Sequence, residues 1–395
     1  MGPPADQGTT RMDFEWTDTE RMLADAARRV GECRIEPLLA AHAADRPLPK
    51  PAMLEAYEVI AELGFLGARV PEADGGSGLS NVMLGILFET LPPAVTMSVL
   101  GHEATVKRIH MAGTGEQKAR LLPDLIAGRR IAGTAASEPN VGSDPRGIET
   151  TARLVDDHYV LNGTKLWTSN GSILDVAIVV ATLGRAGDGR NLITGFLVDR
   201  SESPFERREV PTVGLQQGHL AEIVLRDCRV PKANLLGEPG HAHGPLTFTW
   251  LANRPNIGLV AVHLAQRALD ASVRYARERR QFGKPIGAFQ LVQKMLAEMA
   301  TLTDASRLLC YRALALLDRG VWCHRESSMA KAYATEAAVK VTNMAIQLHG
   351  SYGLTREFPV EGWARDARML TMPDGTTQVH ELVIGRELVG LRAFA

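Results

Sequence analysis

Along the first third of the chain, apolar positions recur at helical spacing. Met22, Leu23, Ala26 and Val30 follow Asp18, which predicts a helix capped by that aspartate. Thr114 and Gln117 have the spacing of a capping box and predict a short helix through Leu121 and Leu122. Between these, Val70-Pro-Glu-Ala-Asp-Gly-Gly-Ser-Gly reads as a loop. From about residue 129 the period changes to two. His158–Trp167 reads as two short strands about an Asn162-Gly163 turn, and 175–183, 191–198 and 221–225 read as further strands. Beyond about residue 245 helical spacing returns in longer runs. Leu291, Met295, Met299 and Leu302 share one face, and similar periodicity recurs over 324–348 and 376–390. No internal repeat is evident.

This order predicts an α+β chain. It has a polar tail at 1–12, a helical domain at 13–128, a small β-barrel or sandwich at 129–242 and a helical bundle at 243–395. Long helices must bury wide apolar stripes, so the bundle is expected to make subunit contacts.

Composition narrows the classes further. The 395 residues carry 44 Lys and Arg against 45 Asp and Glu, a net charge of −1, which is no footprint for nucleic acid or an anionic membrane. With 45% hydrophobic and 23% charged residues the chain is an ordinary globular one. Cys33, Cys228, Cys310 and Cys323 form no CxxC pair, so buried free thiols are expected, with neither disulfides nor a metal site. The opening lacks signal-peptide or transit-peptide character, and the apolar run Val176–Ala181 is far short of a span. A cytoplasmic protein without membrane insertion is expected.

Five motifs carry the chemistry: Ala135-Ala-Ser-Glu-Pro-Asn-Val-Gly-Ser-Asp, Gly163-Thr-Lys-Leu-Trp-Thr-Ser-Asn-Gly, Glu278-Arg-Arg-Gln-Phe-Gly-Lys-Pro-Ile, Gln347-Leu-His-Gly-Ser-Tyr-Gly and Asp374-Gly-Thr-Thr-Gln. Taken singly, Trp167 reads as a core residue, Ser137-Glu138-Pro139 as a turn and Arg279 as a solvated charge. Jointly, in this order and at this spacing, they resemble the landmarks of the acyl-CoA dehydrogenase family over about 13–392. The resemblance implies an N-terminal helical domain, a middle β-domain and a C-terminal four-helix bundle. It also implies FAD as cofactor and a homotetramer with FAD at the subunit interfaces. Thr134, Ala136, Ser137, Gly142 and Ser143 would line the flavin and pyrophosphate, Trp167 would stack near the ring, and the Ser169 hydroxyl would lie close to N5. Arg279, Phe282, Gln347, Gly350 and Ser351 would reach the FAD of a neighbouring subunit, while Thr376 and Gln378 would touch the dinucleotide beside the base. Ser143, Arg254, Asp374 and Gly375 would contact substrate. Hydroxyl and N–H donors suit a flavin's carbonyls and N5, an indole suits its π-face, and an arginine fork suits pyrophosphate.

The implied reaction is α,β-dehydrogenation of an acyl thioester, CoA-linked or carrier-protein-linked. Asp374 would act as the α-proton base, and electrons would leave through an electron-transfer flavoprotein. Most relatives have Glu at this position. Asp is one methylene shorter, a displacement of ~1.5 Å, and about 1 Å of misplacement can cost ~10²-fold in rate. Either the pocket holds the α-carbon closer, or the substrate is no standard fatty acyl-CoA. Relatives that use an earlier Glu as base match Asn253 here, which cannot abstract a proton. Pro373-Asp374-Gly375 is also a sound turn and helix cap without catalysis. Ala136 and Val141 depart from the first motif in size, and His102 with Glu103 falls where the family closes its acyl pocket; solvent exposure is the alternative for that pair. Two other readings stay open. A nitroalkane oxidase-type flavin oxidase also has Asp as base, but keeps an Arg where this chain has Glu381. The second is a flavin- or thioester-binding scaffold weakened in catalysis.

Overall fold

The computed structural model describes residues 15–391. Six helices come first: α1 (Asp18–Val30), α2 (Glu36–Ala40), α3 (Lys50–Ala61), α4 (Asn81–Thr90), α5 (Pro93–Ala112) and α6 (Gly115–Ile126). The expected tail at 1–12 lies outside the described residues. Helix α1 is capped by Thr17 and not by Asp18. Thr17 and Glu20 exchange backbone and side-chain hydrogen bonds as a full capping box, which satisfies two donors where Asp18 would satisfy one. The inward stripe of α1 is Leu23, Ala24, Ala27 and Val30, whereas Met22 points outward. The capping box at Thr114 and Gln117 is present as expected.

The middle region holds β1 (Ala132–Ala135), β2 (Thr151–Val155), β3 (His158–Ser169), β4 (Val176–Arg185), β5 (Asn191–Asp199), β6 (Glu206–Glu209), β7 (Leu220–Pro231) and β8 (Leu235–Leu236). They form one eight-stranded sheet in the order β6-β7-β3-β2-β4-β5-β8, with β1 parallel to β4. Strands β3 and β5 are three places apart, ~14 Å in a flat sheet. The rings of Tyr159 on β3 and Phe196 on β5 nevertheless meet at 5.0 Å, so the sheet curls back on itself around a shared core. The expected Asn162-Gly163 turn does not form. The hairpin turns at Asp156-Asp157, with Asp156 at φ 54, and β3 runs on through Asn162, opposite a bulge in β7 at Arg226-Asp227. Strand β3 pairs with both β2 and β7, so ladder bonds on two sides override a local turn preference. Gly163 instead allows the close approach of Thr150, with which a Cβ there would collide.

Helices α7 (His243–Glu278), α8 (Gln290–Asp318) and α9 (His324–His349) pack together, with α10 (Val360–Leu370) and α11 (Thr377–Val389) against α9. A two-stranded ribbon, β9 (Arg280–Gln281) and β10 (Lys284–Pro285), joins α7 to α8. The fold class is therefore as expected: helices, a β-domain, then a helical domain. Of the stripe on α8, Met299 is buried and Met295 and Leu302 pack against the core, but Leu291 is exposed. Cys228, Cys310 and Cys323 are buried free thiols, whereas Cys33 is exposed because it lies on the outer side of a π-helical turn. Among the described residues no helix is long and apolar enough to cross a membrane, and no acidic, His or Cys group could hold a metal.

Candidate active site

Strands β1 and β3 bring the first two motifs together. Thr134 on β1 bonds Thr105 of α5 through their hydroxyls at 2.9 Å; Thr105 donates to the Gly101 carbonyl, which leaves Thr134 as donor in that pair. On β3 the register slips between Lys165 and Thr168, and within this slip Trp167 takes φ 64 with 55% of its surface exposed. A bulky residue in the left-handed region is an outlier that the surrounding structure must enforce. Ser169 lies half-buried nearby, so close to α5 that a Cβ on Gly101 would sit 3.0 Å from its Cβ. Ser137 accepts at its carbonyl from Leu166 N–H at 2.9 Å, which ties the first motif to the second. Ala136 is half-buried beside it, Gly142 and Ser143 are exposed on the following loop, and Val141 is buried and bridges to Glu138.

Two residues with no role assigned from the sequence hold this surface. Lys165, fully buried, donates to Glu138 at 2.7 Å and to the Ala136 carbonyl at 3.1 Å. Glu138 also accepts from the N–H groups of Glu149 (2.6 Å) and Thr150 (2.9 Å). Burial pushes the Glu138 carboxyl up, but these bonds and the ammonium outweigh it and leave it below its usual range. Burial brings Lys165 down to about 8. The signal was legible: Lys165 shares the inward parity of Tyr159 and Leu161, and a charge at such a position needs a buried partner.

Asp374 lies just before α11, half-buried at φ 52, and Thr376 caps that helix through its hydroxyl. The cap reading of the hexapeptide thus belongs to Thr376. Neither Asp374 carboxylate oxygen has a hydrogen-bond partner among the described residues, and Oδ2 is buried. The loop is held by its backbone instead. Arg254 Nε donates to the Asp374 carbonyl at 3.4 Å, and buried Lys331 donates to the carbonyls of Thr371 (2.8 Å) and Gly375 (2.6 Å). Burial lowers Lys331 to about 8, with the Asp374 charge opposing the shift. Gly375, at φ 109, faces the His380 ring, where a Cβ would come within 3.0 Å. Gln378 is exposed on the first turn of α11.

His102 and Glu103 are both buried, which excludes the exposed alternative. His102 is a joint: Nδ1 accepts from Ala132 N–H at 3.0 Å, so Nε2 carries the proton it donates to the Leu125 carbonyl, also at 3.0 Å. Glu103 is bound by Arg69, with Nε 2.9 Å from each oxygen, and Arg69 also reaches Asn253 at 3.5 Å.

A third group lies at the other end of the bundle. Arg279 follows α7 and sits 5.9 Å from the Tyr352 ring, which brings it beside Gly350 and Ser351; Gln347 is exposed on the last turn of α9. Phe282 caps the ribbon at φ 50, 91% exposed. Arg254 and Arg279 are 25 residues apart (279 − 254) along α7, or ~38 Å at the helical rise. The Asp374 loop held by Arg254 and the group around Arg279 are therefore far apart within one chain. Partly exposed hydroxyls and an exposed indole on β1 and β3, with an arginine and an open glycine turn elsewhere, fit the ring and the pyrophosphate of FAD.

Family models for the acyl-CoA dehydrogenase N-terminal, middle and C-terminal domains match residues 17–129, 133–228 and 249–389. The chain is 35% identical to a probable acyl-CoA dehydrogenase, YngJ, of Bacillus subtilis, covering 96% of this chain and 100% of that one. It is 38% identical to the benzylmalonyl-CoA dehydrogenase of Aromatoleum aromaticum (95% and 100% covered). It is 34% identical to the caffeyl-CoA reductase-Etf complex subunit CarC of Acetobacterium woodii (85% and 89%). Among solved structures, butyryl-CoA dehydrogenase from Megasphaera elsdenii superposes with TM-score 0.90 at 30% identity (96% and 100%). The FAD complex of PigA superposes with TM-score 0.89 at 25% identity (95% and 99%). With all three domains matched end to end around these motifs, the chain belongs to the acyl-CoA dehydrogenase family of FAD-dependent oxidoreductases.

Proposed function

We propose that this enzyme removes the α-proton of an acyl thioester with Asp374 and forms the 2,3-enoyl thioester. The observation that carries the reading is a carboxylate free of hydrogen bonds and partly buried, on a loop fixed through its carbonyls. A base held this way keeps its lone pairs for the substrate. Bound FAD supplies the acceptor for the β-hydrogen and its electron pair. The Asp374 N–H makes no hydrogen bond among the described residues and is available to the thioester carbonyl, whose oxygen gains charge as the α-proton leaves. The balance is one Cα–H and one Cβ–H bond broken and one C=C bond formed, with the proton on Asp374.

The two separated groups on α7 support FAD sites completed by a second copy, and hence a homo-oligomer, a tetramer in the family. Electron-transfer flavoprotein is the proposed onward acceptor, supported by the Etf-complex relative. The test is anaerobic loss of flavin absorbance on mixing the holoenzyme with acyl-CoA and acyl-carrier-protein thioesters. Bleaching by a thioester supports the reading; bleaching only by a nitroalkane, with H₂O₂ formed in air, overturns it.

A further inference from the structure

Helix α5 passes between the two halves of the candidate site. Thr105 touches Thr134 on β1, and one turn further on Arg108 crosses to α7, where its Nε donates to Thr249 Oγ1 at 2.8 Å. Thr249 lies little more than a turn before Arg254, the residue bound to the Asp374 backbone. Arg108 is 5% exposed, and that bond to Thr249 is its only side-chain hydrogen bond among the described residues. No acidic side chain among them pairs with it. Glu103, the nearest acid on its own helix, is committed to Arg69 on both oxygens.

The guanidinium borders a cavity of about 270 Å³ between α5, the start of α7 and the β-domain. Its walls include Ile178, Val180, Leu236 and Leu246, and its mouth carries Glu238, which is exposed and paired with His241 at 3.2 Å. The charges around Arg108 are thus Arg69 and Glu103, which cancel each other, and Asp374, whose field Arg108 feels without contact. Burial holds Arg108 down at about 10, with Asp374 and Glu103 opposing. A buried cation without an ion partner is costly, and a planar fork with free N–H groups is matched by a carboxylate. The deficit deepens during turnover, because Asp374 loses its negative charge when it takes the α-proton.

We propose that Arg108 binds an anionic group, a carboxylate, carried on the acyl part of the substrate, so that the enzyme acts on thioesters of dicarboxylic acids in preference to neutral acyl chains. This rests on the reading of Asp374 as the base. A phosphate of the carrier arm would satisfy the same guanidinium, so the test separates the two sources.

Matched CoA thioesters are compared: succinyl against butanoyl and glutaryl against pentanoyl. The expected result is a kcat/KM ratio favouring the carboxylated member by about 10²-fold. In Arg108→Met that ratio collapses towards one, and Arg108→Lys, which keeps charge but loses the fork, retains part of it. A wild-type preference for the neutral members overturns the proposal. So does an Arg108→Met enzyme that loses both members equally, the mark of a carrier-arm contact. If Arg108→Met does not fold, the wild-type ratio and Arg108→Lys decide. Equilibrium binding of the same four thioesters to Asp374→Asn holoenzyme separates this inference from the base assignment. Tighter binding of the carboxylated members there supports Arg108 even if the wild type does not turn over, and equal binding sinks it even if it does.

Discussion

Arg254 donates to the main-chain carbonyl of Asp374 and not to its carboxylate. The distinction decides what the arginine can do. An ion pair at the carboxylate would hold its pKa down and weaken it as a base, whereas a bond to the carbonyl fixes the position of the side chain and leaves its lone pairs free.

Asp374→Asn is the cleanest test of the base. Asparagine tolerates the left-handed backbone at φ 52 as aspartate does, so the loop need not shift. The substitution is expected to lower the rate of flavin reduction by about 10²–10⁴-fold with FAD content and melting temperature unchanged. Reduction within a few-fold of wild type would remove Asp374 from the chemistry.

Lys331 holds the loop that carries Asp374. Its ammonium is the shared donor for the carbonyls of Thr371 and Gly375. Lys331→Met leaves both acceptors in a buried setting, at a stability cost of about 1–3 kcal/mol. If Asp374 is the base, loosening it should lower kcat more than it raises KM, since a base contributes to the transition state and little to ground-state binding. Denaturant unfolding together with steady-state kinetics checks both. A stability loss with kcat intact would make Lys331 a purely structural residue.

The motifs were legible because each combines residue types that chemistry requires at fixed spacing. Local periodicity also gave the order of helices and strands. What it could not give were features set by tertiary pairing. Asn162-Gly163 reads as a turn until β3 is seen to have partners on both sides. Leu291 reads as core because spacing identifies the inward stripe, which Met295, Met299 and Leu302 do form, but not how far towards the helix start the packing extends. Three of the chain's left-handed non-glycine residues, Trp167, Phe282 and Asp374, fall at the candidate site. No propensity argument anticipates Trp167 and Phe282 there, because propensity assigns such backbone to Gly, Asn and Asp. Strand parity marks Lys165 as buried but does not name Glu138, 27 residues away, as its partner, and nothing local marks Arg108 as buried.

His102 gives the fold an acid-labile joint between α5, α6 and β1. Burial lowers it from the usual 6.5 to about 4, with Asp175 opposing; Tyr57 packs edge-on at 5.0 Å. Between those two values the unfolded chain binds a proton that the folded one does not. The contribution is therefore complete above pH 6.5 and is lost as the pH falls towards 4. His263, also lowered to about 4, and His380, lowered to about 3, act in the same direction. His102→Gln keeps an acceptor for Ala132 and a donor for Leu125 without titrating. It is expected to reduce the stability difference between about pH 7.5 and 5 by roughly 2 kcal/mol. Urea denaturation at the two pH values measures it, and an unchanged difference would show that His102 is not the titrating group.

Phe282 separates the needs of the fold from those of the cofactor. At 91% exposure its contacts within the chain amount to an edge-on approach to Phe289 at 6.0 Å. Its loss should therefore move protomer stability by no more than about 0.5 kcal/mol. The φ of 50 is strained for a phenyl side chain, so Phe282→Asn relieves backbone strain while removing the ring. If the ribbon at the end of α7 completes the FAD site of a second copy, this variant should fold normally yet lose FAD on gel filtration. Wild-type enzyme should likewise lose FAD on dilution in step with dissociation of its oligomer. Full FAD content in Phe282→Asn, or FAD retained by dissociated wild-type protomers, would mean that each chain holds its dinucleotide alone. The ~38 Å along α7 between Arg254 and Arg279 argues against that outcome.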